Sequence, residues 1–417
     1  MALPEELLED TGVAWRDLLG ANDWEGLLDP LNDDLRRLII RCGDFCQVTY
    51  DTFINDQNSL YCGCSRYAKA DLLHKTAFPG GSDRYDVVGF LYATARVSVP
   101  EAFLLKSLSR ERWDRESNWI GYVAVSKDEV SREMGRREIY VAWRGTIRNY
   151  EWIDVLGAKL DSAREILRKE PLDDQTGDNG NDDEKSDHKV PKVMEGWLTI
   201  YLSDDPKSPF TKVSARTQLL SKLKSLIDQY KDEDLSITFC GHSLGATLSV
   251  VSAFDVAENL TTDIPISAIV FGCPKVGNKA FKDRFDSYPN VKVLHIRNTI
   301  DLIPHYPTGL MGYVNIGTEL EIDTRKSSYL KDSKNPSDWH NLQAMLHVVN
   351  GWHGEKRDFD LRIKRSIALV NKSCGFLKEE CLVPESWWVE KNKGLVLNED
   401  GDWVLAPPEE IPTPEFD

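Results

Sequence analysis

The 417-residue sequence has no excess of basic charge, no long apolar run and no leader-like start. Lys and Arg number 51 against 68 Asp and Glu, a formal net charge of −17. That balance disfavours nucleic acid, whose phosphates need a basic footprint. It also disfavours simple attraction to strongly anionic membranes. Contact with a neutral or zwitterionic interface stays open, because such contact is local and apolar. No stretch approaches the ~18 consecutive apolar residues of a spanning helix. The opening MALPEELLEDTGVAW is acidic where a signal peptide is basic and then apolar, and it lacks the Arg- and Ser-rich character of a transit peptide. The expected location is therefore the cytoplasm. With 41% hydrophobic and 29% charged residues, the chain is globular rather than disordered.

Cysteine is sparse: eight residues in a long chain without a secretion signal argue against a disulfide framework. Cys42-x3-Cys46 followed by Cys62-x-Cys64 superficially resembles a zinc ligand set. Cys42 and Cys46, however, sit in the apolar-periodic run LRRLIIRCGDFCQVTY, where helix packing is the simpler reading. No metal and no cofactor is expected. Cys240 ends a strand-like run and reads as a small buried thiol.

Residues 1–118 read as a helical N-terminal extension packed on a core, closing in a linker that carries Gly80, Gly81 and Gly89 among tyrosines. From 119 to 355 the character changes. The β-rich runs WIGYVAVSKD, REIYVAWRGT, LSITFC, ISAIVFGCP and VKVLHIRN alternate with helical runs such as TKVSARTQLLSKLKSLIDQYK, LGATLSVVSAFDVAENL and KAFKDRFDSY. Such alternation predicts an α/β layered core, at least partly parallel. YVNIGTELEIDT adds a strand pair or an edge extension. Residues 171–188 hold seven carboxylates and one lysine, the composition of an exposed acidic loop. Residues 356–417 bring a basic helix candidate, RDFDLRIKRSIALVNKS, and a Trp-rich tail whose Trp387–Trp388 pair reads as packing on the core.

The sharpest local feature is Gly241-His242-Ser243-Leu244-Gly245, set after a strand-like run and before a small-residue helix. Strand, tight turn and helix form the context in which G-x-S-x-G lifts a serine above the carboxyl edge of a sheet. The helix N-terminus then presents amide donors to developing negative charge. A serine nucleophile needs a base, and the base needs an orienting acid. Asp301 follows the strand VKVLHIRN, which puts its carboxylate at the same edge. Asp283 and Asp286 lie on a charged helix, and Asp255 lies in the helix after the serine, directed away from the turn. The base comes from His305, His340, His347 or His353. His340 opens a helix at a loop junction and is favoured, with His347 and His353 left open. His242 adjoins the serine and reads as a packed neighbour. Oxyanion donors are expected from the Leu244 amide and from Thr146, in the Gly145-Thr146 turn after REIYVAW.

Taken together, VAWRGT, EWIDVL, GHSLGA, FGCPKVGN, IRNTIDLIPHYP and WHNLQAMLH resemble the class 3 (fungal-type) lipase family, and within it the plant phospholipase A1 group related to the anther-dehiscence lipase. WRDLLGANDWEGLLDPLNDDLR near the start, and LVNKSCGFLKEE with VPESWW near the end, extend the resemblance over nearly the whole chain. The resemblance implies an α/β-hydrolase fold with a mixed, mostly parallel sheet flanked by helices. It implies Ser243 as nucleophile, Asp301 as acid and His340 in WHNL as base, with Thr146 and Leu244 at the oxyanion. It implies a helical lid over roughly 149–166, with Tyr150, Trp152, Ile153 and Leu156 as apolar contacts. The implied activity is sn-1 acyl hydrolysis of phosphatidylcholine, and of mono- and diacylglycerols, by a cytosolic enzyme meeting glycerolipid peripherally at a membrane or micelle interface. The alternatives are a short-chain esterase and a non-catalytic lipase-like scaffold.

Overall fold

The computed structural model describes residues 12–59, 61–76, 78–95, 103–104, 106, 108, 117–146, 158–168, 190–388 and 395–405. Among these, seven strands form the central sheet: β1 (Tyr85–Ala93), β2 (Asn118–Ser126), β3 (Arg137–Trp143), β4 (Leu235–His242), β5 (Ile266–Phe271), β6 (Val291–Asn298) and β7 (Thr318–Ile322). Their spatial order is their chain order. β2 runs antiparallel to both neighbours, and β3 through β7 are parallel throughout. The mostly parallel sheet between helices is an α/β-hydrolase core.

That winding has a consequence. Parallel crossovers are right-handed, so strands added always on one side place all their crossover helices on one face. The helices α2 (Glu195–Leu202), α3 (Ala215–Gln229), α4 (Leu244–Asn259) and α5 (Lys279–Asp286) all fall there. They bury Leu219, Leu223, Val251, Phe254 and Phe281 against Ile139, Val141, Ile237, Phe239 and Val270. Alternate residues of the same strands, Tyr140, Ala142, Cys240, Ile269, Phe271 and Ile296, point to the opposite face, as the period of two requires. No crossover helix among the described residues covers that face. It is covered by α1 (Asp33–Thr52), by α6 (Leu342–Gly351) and by the segment after α6.

α1 starts on Asn32, whose side chain accepts hydrogen bonds from the backbone N–H groups of Asp34 (2.9 Å) and Leu35 (3.2 Å). Its buried stripe includes Leu35, Ile39, Cys42, Phe45 and Cys46, so the first two cysteines are packing residues of a helix. Phe45 stacks on Tyr140 at 4.2 Å between ring centroids. The fully buried Arg36 guanidinium donates to the carbonyls of Leu31 (3.1 Å), Trp352 (2.8 Å) and Val349, placing a cation on the carboxyl end of α6. Two further buried ion pairs tie α1 to the distal segment: Arg365 to Asp44 at 2.7 Å, and Lys372 to Asp51.

Three expectations change. The stretch before 118 is not wholly helical, since β1 lies within it and edges the sheet. Its β-branched and aromatic residues suit a pleat, but two register shifts and Gly89 blur the alternation that marks a strand. RDFDLRIKRSIALVNKS forms no α-helix; its regular part is a 3-10 run, Ile367–Lys372. The Asn350 side chain holds the preceding stretch extended, accepting from Ile363 N (2.7 Å) and Arg362 N (3.3 Å) and donating to Ile363 O (2.8 Å). In the span expected as lid, Leu160–Ser162 pairs antiparallel with Lys192–Met194, and Ala163 and Ile166 enter the core, so that end belongs to the body. Tyr150, Trp152, Ile153 and Leu156 lie outside the described residues, as does the acidic loop 171–188. In the tail, Trp387 is buried, donates to Ala368 O at 2.7 Å and packs on Trp388 and Trp403. No helix among the described residues is long and apolar enough to cross a membrane.

Candidate active site

Ser243 stands between the end of β4 and the start of α4, with φ 59° and ψ −124°. A non-glycine residue in this region is strained and persists only where its surroundings fix it. Here the Ser243 N–H donates to Phe271 O at the end of β5 (3.0 Å). The flanking glycines are required by space: a Cβ on Gly241 would lie 2.0 Å from Gly245 O, and one on Gly245 would lie 2.3 Å from Trp143 O. The turn thus brings the helix N-terminus against the end of β3. Thr146, three residues beyond β3, sets its Oγ1 3.4 Å from Ser243 Oγ. Arg144 fixes that loop by donating to Gly145 O (3.0 Å), Trp119 O (3.1 Å) and Phe103 O (2.9 Å). Leu244 opens α4, where the first N–H groups of a helix have no intrahelical acceptor.

Asp301 follows β6, and its Oδ2 lies 2.6 Å from His340 Nδ1; Oδ1 accepts from Ile303 N at 3.0 Å. Both side chains are buried. A carboxylate on Nδ1 fixes the proton there and puts the basic lone pair on Nε2. Gly272 (φ +53°) makes room for the pair, since a Cβ there would lie 2.7 Å from His340 Cε1 and 3.2 Å from Asp301 Oδ2. As Phe271 holds Ser243 and Gly272 touches His340 and Asp301, two consecutive residues at the end of β5 gather all three.

The other candidates lie elsewhere. Asp255 is buried in α4, held by Tyr201 (2.8 Å) and Arg216 (2.7 Å). Asp283 and Asp286 pair with Lys279 and Lys282 on the surface of α5. His347 meets Ser327 Oγ at 2.8 Å, His353 meets Asp360 O at 3.0 Å, and His305 is exposed in the turn Ile303–His305.

Three contacts had no clear signal in the sequence. His242 Nε2 lies 2.9 Å from His340 O, and its Nδ1 lies 2.6 Å from Tyr50 OH. The carbonyl only accepts, so Nε2–H donates to it and Tyr50 O–H donates to Nδ1. Burial, and then the neighbouring His340 charge, push His242 well below the usual imidazole range, so it stays neutral. Asn298, the last residue of β6, donates to Trp339 O at 2.8 Å and so fixes the residue before His340. Asn298 lies within the quoted strand run, and a polar side chain ending a buried strand is the one hint available. Tyr50 is 192 positions from His242, and nothing local marks it.

A strained serine between strand and helix, with a buried Asp–His pair at the same carboxyl edge of a parallel sheet, defines an α/β-hydrolase of the serine type. The profile of the family described as Lipase (class 3) matches residues 140–311. The chain is 60% identical over 410 residues to Phospholipase A1-IIdelta of Arabidopsis thaliana, covering 97% of this chain and 99% of that one. It is 49% identical over 408 residues to Phospholipase A1-II 5 of Oryza sativa subsp. indica, covering 96% and 84%. The structure of the Rhizomucor miehei triacylglyceride lipase matches 70% of this chain and 82% of that chain at TM-score 0.42 and 15% identity. The chain belongs to the phospholipase A1-II family of class 3 lipases.

Proposed function

We propose that this protein is a phospholipase A1 that cleaves the sn-1 acyl ester of phosphatidylcholine, and also mono- and diacylglycerols, at a lipid interface reached from the cytoplasm. The observation that carries the reading is the buried Asp301–His340 contact of 2.6 Å beside the Ser243 turn, in a chain 60% identical to an Arabidopsis phospholipase A1-II.

Ser243 Oγ attacks the ester carbonyl and gives its proton to His340 Nε2. Asp301 holds the imidazole and stabilises the imidazolium. The Leu244 N–H and Thr146 hold the oxyanion, each donor supplying about 3–4 kcal/mol in the transition state. Collapse expels the lysophospholipid oxygen, which takes the proton from His340. Water, deprotonated by the same Nε2, then releases the fatty acid. Tyr50 and His242 act as positioning residues, holding the backbone of His340.

Phosphatidylcholine with distinct sn-1 and sn-2 chains tests this reading. The expected products are the sn-1 fatty acid and the 2-acyl lysophospholipid, and Ser243→Ala lowers kcat by about 10⁴–10⁶-fold. Undiminished hydrolysis by the variant removes Ser243 from the mechanism. Release of the sn-2 chain overturns the positional assignment. Turnover of p-nitrophenyl butyrate without phosphatidylcholine cleavage favours the short-chain esterase.

A further inference from the structure

A cavity of about 760 Å³ opens beside the Asp301 loop, and neither Ser243 nor His340 is among its described lining residues. Arg325, Lys326, Lys331, Lys334 and Lys378 line it, against the carboxylates of Asp301 and Asp332. Asp301 is engaged by His340. Asp323 offsets Arg325 and Glu385 offsets Lys331, so the positive excess of this concave surface comes from Lys326, Lys334 and Lys378, in a chain of net charge −17. Concave low-dielectric walls focus such a field and concentrate counter-ions within it.

The basic groups are held in place by the fold. Lys331 N donates to Phe376 O (2.9 Å), and Lys378 N donates to Tyr329 O (3.0 Å). Between these bonds Leu330 and Leu377 form an antiparallel bridge and are both buried. Side chains alternate along extended backbone, so Lys331 and Lys378 turn outward together. Asp323 holds Arg325 at 2.8 Å, and Glu355 O accepts from Lys326 at 2.8 Å. Lys331 also reaches Glu385 at 3.1 Å. Lys334 and Lys378 make no ion pair among the described residues. Leu302, Trp339 and Phe376 add apolar wall to the same cavity.

We propose that this cavity is an anion site for a phosphate monoester, free or as the headgroup of an anionic lipid, seated next to the active-site loop. Several lysines around one concavity suit a compact dianion, and the apolar wall suits the chain it is attached to. The site gives an acidic protein a local means of recognising anionic lipid. It is independent of the hydrolytic reading, because every binding measurement uses the full chain carrying Ser243→Ala, in which nothing is turned over.

Two probes distinguish the sources: inorganic phosphate by titration calorimetry, and flotation with phosphatidylcholine vesicles with or without phosphatidic acid. The expected result is vesicle binding raised about tenfold by phosphatidic acid, the scale of a few lysines at an anionic surface. Lys331→Gln/Lys334→Gln/Lys378→Gln brings that binding down to the level of pure phosphatidylcholine. Lys224→Gln/Lys279→Gln/Lys282→Gln, the same change of charge on α3 and α5, leaves it intact. Should the triple cavity variant not fold, Lys334→Gln/Lys378→Gln is read instead, since neither side chain makes an ion pair among the described residues. Calorimetric binding of phosphate that the cavity variant loses, without preference for phosphatidic acid vesicles, assigns the site to free phosphate. Preference for the vesicles that the cavity variant loses assigns it to the lipid headgroup. The proposal is overturned if the cavity variant retains both, if the α3–α5 variant loses as much, or if the parent protein binds neither probe.

Discussion

The two faces of the central sheet are built by different means. One face is covered by α3, α4 and α5, all of which lie in crossovers, and the buried carboxylates of α4, Asp255 and Glu258, pair there with Arg216 and Arg284. The other is covered by α1, α6 and the segment beyond, which come from the two ends of the chain. There the buried charges Arg36, Asp44, Asp51 and Lys372 sit at the joints. Pairs on the crossover face join segments close in sequence, 39 positions apart for Arg216–Asp255 and 26 for Arg284–Glu258. Segments meeting from more than 300 positions apart, as Lys372 and Asp51 do with a separation of 321, gain register from paired charges that fit in one arrangement. Whether such pairs add net stability depends on what replaces them.

Truncation tests the contrast most strongly. On the crossover face, Phe254→Ala opens a cavity between α4 and α5 and costs about 3–5 kcal/mol, read from the urea midpoint. On the opposite face, Lys372→Met costs a similar ~3–5 kcal/mol, because it removes the cation paired with the buried Asp51 carboxylate. The faces then separate: adding Asp51→Leu to Lys372→Met restores most of the loss, whereas no partner substitution of this kind restores Phe254→Ala. A double variant no more stable than Lys372→Met alone would show that the pair contributes more than register.

Acid touches both faces. Burial, with Arg297 nearby, lowers His295 to about 3 on β6; burial, with Arg365 nearby, lowers His347 to about 4 on α6. Each is neutral in the fold while the unfolded chain binds a proton below about pH 6.5, so stability is full above that value and falls as pH drops toward the folded values. The expected slope is about 1.4 kcal/mol per pH unit for each histidine inside that window. Urea midpoints between pH 7 and 4.5 measure it, and His295→Gln or His347→Gln each removes one share. A slope unchanged in both variants contradicts neutral burial. Tyr50→Phe comes next in size. Loss of its hydrogen bond to His242 lowers kcat about threefold to tenfold with KM unchanged and the fold intact. A change in KM alone removes Tyr50 from the positioning of His340. The smallest effect is at the surface: Lys279→Ala, which breaks an exposed i,i+4 pair with Asp283, costs about 0.3–0.5 kcal/mol.

The same contrast explains what the sequence made legible. β2 through β6 and α3 through α5 were readable because their periodicity and punctuation are local. The G-x-S-x-G turn and the carboxylate after VKVLHIRN were readable because strand-end chemistry is local too. Residue chemistry alone left the choice among His340, His347 and His353 open, because all three border or occupy one apolar helix and only the tertiary fold brings one of them to Asp301. β1 was hidden by its bulges, and the extended stretch before Ile367 by the Asn350 side chain that outcompetes helix formation. Tyr50 was invisible, since its role depends on a partner in a different element and on the opposite side of β1, β2 and β3 in the chain.

The Arg36 clamp on α6 also bears on how the protein is made. Arg36 and Val349 are 313 positions apart, so at ~5–20 residues per second of synthesis the helix waits roughly 15–60 s for its acceptor. The strand partners of Phe45 reach the growing chain early, but the helix that begins just after His340 arrives late. During that interval the part of α1 that packs on α6 carries an apolar face awaiting its cover. The Asp301–His340 pair is likewise completed only when most of the polypeptide has been made, so the buried contact beside Ser243 is among the last parts of the fold to assemble.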